Sequence, residues 1–168
     1  MTDGIFLNEV NRNTFNAYME AGAGEIKLFR KTFFAVFCEG IDGGVEIWRG
    51  GSHWTAPLLA RFLRNDMDAR NALSVSRPIV MISCSVGRVL APQLSGDLQV
   101  PVLAATNECQ YDYYPKPGFS LTEKGGAWKL FLSETESRLL SQGASAQLNL
   151  AQAVSVYQSC RQPRTTQR

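Results

Sequence analysis

Residues 78–87 read Pro78-Ile79-Val80-Met81-Ile82-Ser83-Cys84-Ser85-Val86-Gly87. An apolar run opened by a proline and closed by Ser-Cys-Ser and a glycine predicts a strand over 79–83 that is buried on both faces and ends in a tight loop. A strand with one wet face would alternate instead. Two other stretches share this character: Thr32-Phe33-Phe34-Ala35-Val36-Phe37-Cys38 and Val100-Pro101-Val102-Leu103-Ala104-Ala105. Pro101 falls at the start of its run, where a missing N–H does least harm to a ladder. The expectation is that residues 33–38, 79–83 and 100–104 are neighbours in one parallel sheet.

Working outward, Val10, Phe15, Tyr18 and Met19 recur at helical spacing over 8–21, with Gly22 and Gly24 closing that segment. After Gly43-Gly44 a shorter strand is expected over 45–48, ended by Gly50-Gly51. Trp54, Leu58, Leu59, Phe62 and Leu63 predict a helix capped by Ser52, with Pro57 tolerated in its first turn. Residues 66–76 read as polar and irregular, and 89–94 as a short helix. Residues 107–119, with Tyr111, Tyr113 and Tyr114, read as a loop or short hairpin at the sheet's carboxyl edge. Residues 127–132 alternate enough for a strand with one wet face, Trp128 and Leu130 sharing its buried face. Leu139, Leu140, Leu148, Ala151, Val154 and Tyr157 suggest a closing helical segment over 134–158, broken or bent at Gly143. Strands alternating with helices predict an α/β fold with a mostly parallel sheet and helices on both faces.

The 168 residues, 45% hydrophobic and 19% charged, suit one globular domain over 1–160 with a core of ordinary size. The tail 161–168, with Arg161, Arg164 and Arg168, reads as a frayed basic end. A net charge of +2 gives no ground for a nucleic-acid partner. No apolar run approaches the ~20 residues that span a bilayer, so no membrane partner is expected. The opening Met-Thr-Asp-Gly-Ile-Phe lacks the basic and long apolar regions of a signal peptide. The expected setting is therefore cytoplasmic in character, or delivery as part of something larger. Cys38, Cys84, Cys109 and Cys160 form no C-x-x-C pair and one histidine stands beside them, which argues against a metal site and for free thiols. The glycine pairs make neither G-x-G-x-x-G nor a P-loop, and no cofactor is expected.

Open α/β sheets gather their chemistry outside the carboxyl ends of the strands. Cys84 follows such an end. A thiolate there, with backbone amides around Ser85 to Gly87, suits attack on a carbonyl and stabilisation of its oxyanion. A small buried residue ending a strand is the plainer alternative. His53 is the sole histidine and the conventional base for that thiol, although a histidine before a helix is more often simply exposed. Glu39 and Asp42 follow the first buried strand. Either can orient a base or bind a cationic substrate group, or be solvated turn residues. Glu108 and Asp112 flank the tyrosines with the same ambiguity. The aromatic loop can line a cleft or pack over the edge.

The segments Pro78 to Gly87, Leu90-Ala91-Pro92-Gln93-Leu94, Val100 to Ala105 and Gly125-Gly126-Ala127-Trp128-Lys129-Leu130-Phe131, with Leu59-Ala60 upstream, resemble the caspase-like cysteine-peptidase toxin domains found at the C-terminal ends of bacterial polymorphic toxins. The resemblance implies a caspase-like three-layer sandwich and a toxin or effector that hydrolyses an amide in a protein target, with Cys84 as nucleophile. It also implies a cognate immunity or carrier protein as a possible partner. The family's histidine falls at Phe37-Cys38-Glu39-Gly40, where this chain has Cys38. A thiol is a poor proton shuttle, so either His53 supplies the base or the fold serves as a non-catalytic protein-interaction domain.

Overall fold

The computed structural model describes residues 2–41, 43–47, 53–83, 86–113 and 116–161. In chain order the elements are β1 (Gly4–Phe6), a 3-10 turn (Glu9–Asn11), α1 (Arg12–Glu20), α2 (Gly24–Thr32), β2 (Phe34–Phe37), β3 (Glu39–Ile41), β4 (Gly44–Glu46), β5 (His53–Trp54), α3 (Ala56–Asn65), α4 (Met67–Ser74), β6 (Ile79–Ile82), α5 (Leu90–Leu98), β7 (Val102–Ala105), β8 (Cys109–Asp112), β9 (Gly118–Leu121), β10 (Ala127–Phe131), β11 (Ser137–Gln142) and α6 (Leu150–Arg161). The main sheet has six strands in the order β1-β2-β6-β7-β10-β11. β1, β2, β6 and β7 are mutually parallel, as expected for the three apolar runs, while β10 is antiparallel to both β7 and β11. The fold is α/β with a mixed sheet. The chain returns antiparallel because the β8–β9 hairpin, rather than a crossover helix, fills the connection from β7 to β10.

Residues of the parallel strands alternate between two cores. Phe34, Val36, Ile79, Met81, Val102 and Ala104 pack with α3, α4 and α5, whereas Ala35, Phe37, Val80, Ile82, Leu103 and Ala105 pack with α1, α2 and α6. Helices thus cover both faces, and every position of β2, β6 and β7 is buried. That explains apolar runs without alternation. Trp128 is fully buried beside Leu130 on the α2–α6 side, with Lys129 between them only half-buried. The expected wet face is not found, since Ala127 and Phe131 on the opposite side are buried as well and only Lys129 is partly exposed.

The parallel connections hold an unusual feature. The steps β1→β2 and β2→β6 move the same way across the sheet, yet the first travels over the α1–α2 face and the second over the α3–α4 face. Two such crossovers have opposite hands, so one departs from the right-handed rule followed in about 98% of cases. Gly4 makes the β1 pairing possible, because a Cβ there would lie 2.7 Å from the Ala35 carbonyl oxygen. At the amino ends of these strands, Asp3 lies 3.0 Å from Arg77 and 3.8 Å from Arg30, and Arg77 also donates to the carbonyls of Arg30 and Phe33. Arg30, itself buried, donates to the Tyr18 and Ala21 carbonyls.

Several local expectations need correction. Residues 134–158 are not one helical segment: β11 pairs with β10, and of its two adjacent leucines Leu139 is 52% exposed while Leu140 is 7% exposed. Gly143 at φ 105° turns the chain before α6. Residues 66–76 hold a helix, α4, capped by the Asp66 carboxylate on the Ala69 N–H at 3.0 Å. Its buried face is Ala69 and Ala72, too small to give a strong hydrophobic signal. The helix expected near Trp54 begins at Ala56, and Trp54 instead pairs with Val45 as part of β5. Ser52 lies outside the described residues.

Candidate functional site at the carboxyl edge

Because β1, β2, β6 and β7 run in one direction, their carboxyl ends open on one edge, and between the ends of β2 and β6 lies a cavity of about 240 Å³. Its floor is Phe37 and Ile82, with Cys38 and Ser83 as the next residues of each chain. The Cys38 N–H still donates to the Ile82 carbonyl at 3.3 Å, so the two chains leave the sheet together. Cys109 Sγ donates to the Ser83 carbonyl at 3.6 Å and fastens β8 against that end. Ser83 Oγ is buried and has no hydrogen-bond partner among the described residues.

Glu39 enters from the other side. Asn11, in the 3-10 turn after β1, donates through Nδ2 to Glu39 Oε1 at 2.8 Å, and its own buried Oδ1 has no partner among the described residues. Tyr111 and Tyr113 line the remaining wall with rings 5.0 Å apart, edge to face. Tyr113 is half-exposed, and its hydroxyl lies 3.5 Å from Thr14 Oγ1 across the mouth. Burial, with Tyr113 as a neighbour, pushes the Tyr111 phenol up from its ordinary value. Both alternatives for the aromatic loop hold in part: Tyr111 packs in the core against Tyr18 and Phe119, and Tyr111 and Tyr113 border the cavity. Asp112 lies off the cleft and accepts from Gln110 at 2.9 Å.

A second, three-stranded sheet grows from the end of β2, and its register places His53. Glu39 pairs with Glu46, and Glu46 pairs with His53. Paired residues of an antiparallel ladder share a face, with Cα atoms about 4.5–5.5 Å apart. Glu39, Glu46 and His53 therefore form one row across this sheet, beginning at the cavity. Val45 and Trp54 point the opposite way, into the core under α3. Asn8 donates to the Glu46 carbonyl at 3.4 Å and ties the small sheet to the start of α1. His53 is exposed and lies in a strand rather than a loop.

Cys84, Ser85 and Asp42 lie outside the described residues. Ser83, to which Cys84 is bonded, lines the cavity. Gly87 has a different role from the one expected: its N–H donates to the Ala105 carbonyl at 2.8 Å, so that amide is already engaged. A Cβ at Gly87 would lie 2.7 Å from the same oxygen. The glycine is there for close approach of two backbones, and an oxyanion would have to use amides upstream of it. Sequence reasoning named Glu39 and the tyrosines but did not bring in Asn11, Ser83 or Cys109 as cavity residues. Asn11 and Cys109 are far from Glu39 in the chain, and local spacing carries no signal for such a meeting.

A larger hollow, about 620 Å³, lies near the amino ends of β6 and β7, bordered by Ser76, Pro101, Tyr157 and Cys160. It lacks the convergent strand ends of the smaller cavity. Among the described residues no group of His, Cys, Asp and Glu is arranged to hold a metal ion, and no helix is long and apolar enough to cross a membrane. No family model, curated protein or solved structure matches this chain.

Proposed function

We propose that the chain is a cysteine-nucleophile hydrolase, a toxin or effector domain that cleaves an amide in a protein target. The observation that carries the reading is the polar cavity at the carboxyl ends of β2 and β6, reached by the chain at Ser83, one bond before Cys84. In open α/β sheets this is where reactive groups gather. Cys84 Sγ adds to the amide carbonyl, and the thiol proton passes by way of His53 to the leaving amine. Water then cleaves the thioester, releasing the acid and restoring the thiol. Backbone amides between Cys84 and Gly87 would hold the oxyanion. Glu46 and Glu39 stand in the same row as His53. The finer architecture proposed is the caspase-like sandwich, supported by the parallel block with helices on both faces. Protein partners are the target and a cognate immunity or carrier protein.

The exposure of His53 favours a second reading, a non-catalytic interaction domain using the same edge. Alkylation separates the two. With iodoacetamide at pH 6.5 and peptide mapping, an activated Cys84 reacts ahead of Cys160, an exposed thiol that serves as internal reference. Labelling of Cys84 no faster than Cys160, together with an unchanged biological effect of Cys84→Ala, overturns the hydrolase reading.

A further inference from the structure

We infer that the carboxyl-edge cavity is a binding subsite for one cationic side chain, a lysine or arginine of the protein target. The inference deepens the proposed function and rests on it for the statement that the bound group belongs to a protein substrate.

Glu39 is the charged side chain in the cavity lining among the described residues, and no basic residue lines it. Glu39 has no ion pair among the described residues, whereas Asp3, at the other end of the sheet, has three cationic neighbours. Its cross-strand neighbour on the same face is Glu46, a second carboxylate. Like charges directly opposite each other in a ladder destabilise it, and a bound cation removes that penalty. Asn11 adds an acceptor. Asn11 turns its NH2 toward Glu39, which leaves Oδ1, buried and unpartnered among the described residues, able to accept from a donor-rich head group. Tyr111 and Tyr113 add aromatic faces of the kind that attract ammonium and guanidinium groups. A volume of about 240 Å³ admits one long side chain rather than a whole cofactor. Carboxylate, amide oxygen, aromatic rings and no competing cation among the described residues together describe a site for a positively charged hydrogen-bond donor.

The test uses the full chain carrying Cys84→Ala, so that nothing turns over, and three probes: the N-acetyl amides of arginine, lysine and norleucine. Binding is followed by NMR chemical-shift perturbation at Tyr111, Tyr113 and Asn11. At least one cationic amide should bind about tenfold or more tightly than the norleucine amide, with the preference shrinking as salt is raised. Glu39→Gln, which keeps an acceptor for Asn11, should remove the preference. Equal binding of all three amides, or a preference that survives Glu39→Gln, overturns the inference. If the preference holds while wild-type protein cleaves no basic peptide, the subsite stands and the hydrolase reading falls.

Discussion

At the amino ends of the central strands Asp3 meets Arg77, Arg30 and Lys31, and the arginines cap backbone carbonyls as well. At the carboxyl ends Glu39 and Glu46 lie side by side, Ser83 and Asn11 keep polar atoms without protein partners among the described residues, and a cavity opens between the strands. The same strands supply both ends. The amino end pairs its charges with one another, although Arg77 Nε is buried without a hydrogen-bond partner among the described residues. The carboxyl end leaves its two carboxylates without ion pairs among the described residues, a usual condition of a surface that receives a ligand.

The contrast can be broken or sharpened by substitution. The largest effect should be on activity. Cys84→Ala should lower turnover by more than about a thousandfold, and His53→Ala should reduce it without multiplying the loss in the double variant, since nucleophile and base act as one unit. An independent, multiplying loss would show that His53 does not serve Cys84. Between the two ends, Trp128→Ala removes a fully buried indole and should cost about 3–5 kcal/mol in a denaturant melt. A cost under about 1 kcal/mol would mean that the face shared with Leu130 is not the main core.

At the amino end, Arg77→Ala should cost about 1.5–3 kcal/mol, because charge-assisted bonds to Asp3 and to the Arg30 carbonyl disappear together. Arg77→Lys should recover less than half of this, since a point charge cannot bridge both acceptors. A full recovery would reduce the network to simple charge pairing. Nearest the cavity, Gly87→Ala should cost about 1–3 kcal/mol as the new methyl forces the turn away from the Ala105 carbonyl. If that variant melts normally but loses turnover, the turn's position matters to chemistry more than to folding.

How much was legible in advance depended on the kind of signal. The apolar runs at Phe34–Phe37, Ile79–Ile82 and Val102–Ala105 announced strands buried on both faces, because burial on both sides removes polar residues from consecutive positions. Trp128 and Leu130 announced their shared face by the period of two. β11 carries no such period, because its two leucines, Leu139 and Leu140, are adjacent, and the apolar residues further along at Val154 and Tyr157 belong to α6. α4 was hidden because alanines carry little hydrophobic contrast.

The sequence by itself determined the α/β class and the parallel neighbours, since these follow from local apolar content and turn residues. Tertiary structure alone decided that β10 runs antiparallel, that the β1→β2 crossover has the opposite hand to its neighbour, and that Asn11, Glu39, Ser83 and Cys109 share one cavity. It also decided that Glu39, Glu46 and His53 stand in one row. Each of these is a meeting of residues distant in the chain, fixed by strand register and by which face a connection crosses, and neither leaves a trace in local spacing.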